Sequence, residues 1–199
     1  MFLKTIAEAD ASGRIADIYA EERKNIGLVM SATTCWTARP DLLPLWSDFF
    51  DGVKAGFTLS PREWRLITLI AAREVPSTYR ALVYGRHLAG DLGSKEAVLA
   101  VLADFRKANL SDKEVAILAF AQKAARNAHE ITQSDIDGLR EHGFSDPQIA
   151  DIALCASLRC FMSRFFEATG AGPEAKFIDD DENFREALTV GRRLQDRGG

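Results

Sequence analysis

The strongest constraint on this chain is the way its helix starts are written into it. Ser60-x-x-Glu63 and Ser111-x-x-Glu114 are capping boxes. In each, the hydroxyl accepts from an orphan amide of the first turn while the carboxylate reaches back to the cap. Thr132-x-x-Asp135 and Ser145-x-x-Gln148 carry the same signal. Each opens a run with apolar residues at helical spacing, such as Val115, Leu118, Ala119 and Ala125, or Ile149, Ile152, Ala153, Ala156 and Cys160. Stops are equally plain at Gly56, Pro76, Gly93, Gly143 and the stretch from Gly170 to Pro173. No comparable run alternates as a strand should. The expectation is an all-α domain of about nine helices, near 13–27, 40–55, 60–74, 77–92, 94–107, 111–127, 132–142, 145–169 and 181–196.

With 199 residues, 47% of them hydrophobic and 27% charged, the chain is long enough to bury a core as one soluble domain spanning 1–199. Within it, 1–57 reads as a helical extension, 58–170 as the core and 171–199 as a terminal helix. A net charge of −4 argues against nucleic acid, which asks for a basic face, and equally against a membrane surface. The start, MFLKTIAEADASGR, has neither a long apolar run nor a cleavage pattern, so the cytoplasm is the expected compartment. Cys35, Cys155 and Cys160 match no zinc or disulfide framework, and no metal or cofactor is expected. Cys155 and Cys160, about 140° apart around one helix, point to different faces, and all three read as buried structural thiols.

Residues 59–93, LSPREWRLITLIAAREVPSTYRALVYGRHLAGDLG, resemble the active-site helix pair of the alkylhydroperoxidase D/carboxymuconolactone decarboxylase superfamily. Peroxidases of that family read LSPRE-x-E, a helix, Cys-x-x-Cys-x-x-x-His, Gly, and a second helix ending near Leu-Gly. Leu59, Ser60, Pro61, Arg62, Glu63, Gly85, Leu92 and Gly93 fit that pattern without gaps. The same register puts Ser77 and Arg80 at the cysteine positions, Tyr84 at the histidine and Arg65 at the relay glutamate. The decarboxylase branch, which reads Tyr-Glu-x-x-x-His-x-Arg, is matched at Tyr79 and Arg86, with Arg80 and Tyr84 replacing the Glu and His. The segment from Leu110 through Gly170 is similar to the family's C-terminal half, and the N-terminal part to the extension of its peroxidase-related subgroup. The resemblance implies an alkylhydroperoxidase D-like helical bundle, a homo-oligomer, and the loss of the thiol relay. In that relay a thiolate attacks the peroxide bond and a second cysteine resolves the sulfenic acid, which neither Ser77 nor Arg80 can do.

Arg80, Tyr84, His87 and Asp91 lie within about 60° of one another on the second helix, beside an apolar stripe of Ala81, Gly85, Leu88 and Leu92. By the resemblance, Arg80 and Tyr84 face the family's cavity. There a guanidinium suits a carboxylate, Tyr84 adds a hydrogen bond, His87 serves as acid or base, and Glu63 or Arg65 completes the site. Two classes stay open. One is a cofactor-free acid/base catalyst on a small anionic organic molecule, or a residual peroxidase with a displaced cysteine. The other is a non-catalytic binding or assembly protein in which the stripe is a solvated face or a subunit contact. Trp36, Trp46 and Trp64 read as core or interface anchors, and Gly85 as a close-packing position. The acidic run Asp179–Glu182, followed by Arg192, Arg193 and Arg197, reads as a terminal helix matched to its dipole.

Overall fold

Every capping box named above sits at the start of a helix. The computed structural model of the chain describes residues 1–194, with ten α-helices and no strand among them. They are α1 (Gly13–Ile26), α2 (Ser31–Thr34), α3 (Leu42–Gly56), α4 (Pro61–Glu74) and α5 (Thr78–Leu92), then α6 (Lys95–Asp104), α7 (Asp112–Asn127), α8 (Gln133–Glu141), α9 (Asp146–Thr169) and α10 (Glu182–Leu188). In α4 and α7 both halves of the box are present, with Pro61 as the first helical residue of α4. Each box contributes about 1 kcal/mol by satisfying amides that the helix itself leaves orphaned.

Two elements differ from expectation. The single-turn α2, with the tighter helical turn Cys35–Ala38 behind it, is too short to show a periodicity. The terminal helix, expected over 181–196, ends at Leu188. Asp181 caps its start by accepting from Phe184 N at 3.1 Å. Two β-branched residues, Thr189 and Val190, then meet Gly191, a sequence of weak helix formers. Arg192 and Arg193 therefore lie beyond the helix and do not complement its dipole, and Arg197 lies outside the described residues.

The chain divides into two compact units. One comprises Met1–Phe57 with Phe165–Glu174, and the other Thr58–Arg164 with the chain from Ala175 onward. The segment Phe165–Glu174 groups with the N-terminal unit. In that unit Trp36 stacks between Trp46 at 4.6 Å and Phe165 at 4.1 Å. Such ring pairs add about 0.5–1.5 kcal/mol each beyond the area they bury. The buried Tyr19 donates its hydroxyl to Ile6 O at 3.0 Å, so its polar end is satisfied.

The larger unit is organised by the hairpin of α4 and α5. α4 buries a continuous wall of Leu66, Ile67, Leu69, Ile70, Ala71 and Ala72. Arg62 ties three helices at one end, donating from Nε to Glu114 of α7 at 2.6 Å and from Nη1 to the Asp91 carbonyl of α5 at 2.7 Å. Glu74, at the other end of α4, accepts from Gln122 at 2.8 Å and Arg126 at 2.7 Å on α7. The two boxed helices α4 and α7 therefore run parallel, with α5 antiparallel to α4. Burial pushes the Glu114 carboxyl up, but the Arg62 guanidinium and the Ser111 cap outweigh it and leave Glu114 below the usual carboxylate range.

α10 and the segment after it lie on α5. A Cβ at Gly85 would come within 2.6 Å of Leu188 Cδ2, which accords with the expected close-packing role. A Cβ at Gly191 would stand 2.7 Å from the Pro76 carbonyl oxygen, and Gly191 N donates to Thr78 Oγ1 at 2.9 Å. Backbone yields less readily than a side-chain end, so Gly191→Ala is expected to cost about 1–3 kcal/mol. Gly138, in α8 with open space around its Cβ position, is the contrasting case: Gly138→Ala should raise stability by up to about 1 kcal/mol. Urea midpoints of the two variants, shifted in opposite directions from the wild type, check both statements.

Candidate functional site

Two arginines are buried side by side in the larger unit. Arg80, from the first turn of α5, is 7% exposed, and Arg159, from the middle of α9, is 0% exposed. Arg159 stands over the Trp64 ring at 4.5 Å and the Tyr84 ring at 5.0 Å. Arg80 reaches the same Tyr84 ring at 5.8 Å. Both guanidiniums also meet one sulfur atom: Arg80 Nη2 lies 3.0 Å and Arg159 Nη1 3.4 Å from Met162 Sδ. Three helices build the cluster, with Trp64 from α4, Arg80 and Tyr84 from α5, and Arg159 and Met162 from α9.

The register of α9 explains how an arginine comes to lie there. Ile152, Cys155, Ala156, Arg159, Met162, Ser163 and Phe166 recur at three- and four-residue steps, and all are buried. Arg159 thus occupies a core position of a stripe that is apolar but for Ser163. Taking one guanidinium out of water costs several kcal/mol even after relaxation, and two like charges a few ångströms apart repel by a few kcal/mol more at an effective dielectric near 20. The aromatic faces return part of this, about 2 kcal/mol for a desolvated cation–π contact.

The stripe expected on α5 divides between inside and outside. Arg80 and the half-buried Tyr84 belong to the cluster. His87 is exposed, with its ring edge-on to Tyr84 at 6.4 Å and Phe177 at 6.2 Å. Partial desolvation holds its pKa below the ordinary value, Arg65 adds to this, and Asp91 opposes it, so the imidazole is neutral at pH 7. Asp91 and Arg65 pair with each other at 2.7 Å instead of facing the arginines. Glu63 is held in the α4 cap, its carboxylate accepting from Ser60 N and Oγ at 2.7 Å, and does not join the site. Ser77 is buried at the start of α5, and its Oγ has no hydrogen-bond partner among the described residues.

Arg159, Met162 and Ser163 were not among the expected site residues. A charged residue in the inward register of the last long helix is the sequence signal that marks them. Trp64, read as a core anchor, is that and also the platform under Arg159.

All three cysteines are buried and unbridged. Cys155 approaches the Trp64 carbonyl at 4.0 Å, one helical turn before Arg159. Burial pushes its thiol up to about 11, and the neighbouring Arg159 only partly opposes this. Burial likewise raises the Cys160 thiol. A thiol that stays protonated is neither a peroxide nucleophile nor a ready metal ligand. Among the described residues no cluster of His, Cys, Asp or Glu could hold a metal ion, and no helix is long and apolar enough to cross a membrane. A groove of about 600 Å³ between α7 and α8, lined by Lys123, Arg126, Asp135 and His142, is separate from the arginine cluster.

This architecture has known counterparts. The chain matches the alkylhydroperoxidase D core of an uncharacterised peroxidase-related protein from Ralstonia eutropha JMP134, with TM-score 0.80 and 22% identity over 88% of this chain and 93% of that one. A peroxidase-related protein from Silicibacter sp. TM1040 matches with TM-score 0.76 and 21% identity, over 89% and 96%. A variant of the debrominase Bmp8, in complex with 2,3,4-tribromopyrrole, matches with TM-score 0.76 and 16% identity, over 94% and 97%. No family model and no curated protein matches the sequence. The fold is therefore that of the alkylhydroperoxidase D-like helical bundle, as expected from residues 59–93.

The raised Cys155 thiol has a consequence for stability. Its folded pKa, about 11, lies above the ordinary 9.0, so the folded protein keeps a proton that the unfolded chain has released. The associated stability is present below pH 9 and is lost as pH rises through 11, by roughly 2–3 kcal/mol in all. Denaturation followed from pH 8 to 11 should show the wild type losing that much more than Cys155→Ala. Parallel curves would contradict the burial of this thiol.

Proposed function

We propose that the chain binds a small organic anion, a carboxylate, at the cluster of Arg80, Arg159 and Tyr84, and does not run thiol-peroxidase chemistry. The observation that carries this is the convergence of two buried guanidiniums on one ring and one sulfur atom. Guanidinium forks match the planar, two-oxygen geometry of a carboxylate, and inside a low-dielectric core each such charge-assisted bond is strong.

Several features speak against the peroxidase reading. Ser77 and Arg80, which the resemblance puts at the cysteine positions, carry no thiol, and Cys155, the thiol in the cluster, is protonated at neutral pH. His87, neutral and edge-on to Tyr84, stands on the exposed side of the cluster, and Tyr84 offers its ring to both arginines. Glu63 has no part in it, being committed to the helix cap.

Calorimetric titration with benzoate and acetate tests the binding role. Wild type is expected to bind, and Arg80→Gln to bind about 10–100-fold more weakly, the loss of one charge-assisted contact. Equal affinities, with both proteins folded by circular dichroism, would overturn the assignment. Organic hydroperoxide turnover with a thiol reductant should stay at background in wild type and in the Cys35→Ser, Cys155→Ser, Cys160→Ser variant alike. Turnover that vanishes in that variant would show a displaced cysteine at work.

A further inference from the structure

Met162 stands where the two cations meet. Its Sδ receives both Arg80 Nη2 and Arg159 Nη1, and the residue is 4% exposed. A thioether is uncharged and a weak acceptor, so it offers two guanidiniums far less than a carboxylate would. Methionine is also the core side chain best able to move, unbranched with three rotatable bonds and tolerant of irregular surroundings. Its terminal sulfur and methyl are close in size to a carboxylate group, whereas a tetrahedral oxyanion such as phosphate is larger.

Two buried hydroxyls lie close to these arginines in sequence. Ser163 follows Met162 on α9, and Ser77 lies three residues before Arg80 at the start of α5. Both hydroxyls are fully buried, and neither Oγ has a hydrogen-bond partner among the described residues. Each is thus a donor within one helical turn of an arginine, in a core where buried hydroxyls are normally satisfied.

Resting on the anion-binding role argued above, we propose that Met162 is a displaceable stand-in for the ligand. In the bound protein the carboxylate head of a small organic acid takes the place of the thioether between Arg80 and Arg159, and the methionine side chain swings out of the seat. Two consequences follow for recognition. The wild-type affinity is lowered by the competition of the side chain for its own site, because only the fraction of molecules with the seat open can bind. Selectivity favours a planar carboxylate over a tetrahedral anion, because the space made available is that of one thioether end.

The chain has three methionines, Met1, Met30 and Met162, so methyl-13C-methionine labelling yields signals that Met162→Leu assigns. Full-length protein would be titrated with benzoate and, separately, with inorganic phosphate, and binding measured in parallel by calorimetry. The expected result is a saturable shift of the Met162 methyl signal with benzoate, at the calorimetric midpoint, absent in Arg80→Gln. Met162→Ala should bind benzoate about tenfold more tightly than wild type, the competing side chain having been removed. Should that variant fail to fold, the wild-type methyl titration decides by itself. Arginine-dependent benzoate binding with a stationary Met162 methyl would overturn the stand-in role and leave the anion site intact. Binding of benzoate to neither wild type nor Met162→Ala would overturn both. A shift with phosphate equal to that with benzoate would overturn the assignment of a carboxylate.

Discussion

The larger unit is built around a pair of like charges that its core has to tolerate. Arg80 and Arg159 are both buried, and the side chains around them are chosen accordingly. Trp64 and Tyr84 turn their faces toward Arg159, and Tyr84 is shared with Arg80. Aromatic faces are among the few apolar surfaces that attract a cation, so a tryptophan and a tyrosine do here what aliphatic residues could not. The same pair governs the neighbouring cysteine. Cys155 lies one turn from a permanent cation, yet its burial dominates and keeps the thiol protonated. Proximity to a positive charge is thus not sufficient to make a reactive thiolate when solvent is excluded.

Around this centre, the polar contacts that hold the helices in place are kept at their ends. Arg62 joins the caps of α4 and α7 to the last turn of α5, Glu74 closes the opposite end of the α4 and α7 pair, and Arg65 takes up Asp91. In these pairs the cation is the more exposed partner and the carboxylate is largely covered. Their role is to set register. With α4 parallel to α7 and antiparallel to α5, Trp64 is brought under Arg159 and the first turn of α5 is brought to the sulfur of Met162.

The legible part of this protein was its local part. Caps and stops depend on three or four consecutive residues, so the helices from α3 to α9 could be placed from the sequence, as could the close approach at Gly85. Arg80 and Tyr84 were legible as a pair because one helix turn relates them. Arg159 was not, since its partner lies 79 positions away and no periodicity on α9 says which ring faces it. The surroundings of His87 and Asp91 were not legible for a related reason. A helical wheel supplies direction, but the surface on which a direction ends is set by other elements, here by Phe177 for His87 and by Arg65 for Asp91. Glu63 was claimed by the cap, a local demand that outcompeted the distant one. The terminal helix is shorter than its charge pattern suggests because Thr189 and Val190 are poor helix formers.

The way α10 lies against α5 bears on the order in which the chain assembles. α4, α5, α6 and α7 are joined by short connections and meet their neighbours in sequence, so their contacts close small loops at little entropic cost. Leu188 meets Gly85, and Gly191 meets Pro76 and Thr78, only after about a hundred intervening residues have been gathered in. Short helices held by distant contacts belong to the low-stability end of a fold, where local openings begin. In such an opening the face of α5 that bears Gly85 and Thr78 loses its cover while the hairpin beneath it stays intact. Such an opening would expose the helix that carries Arg80 without melting the core that holds the arginine in place.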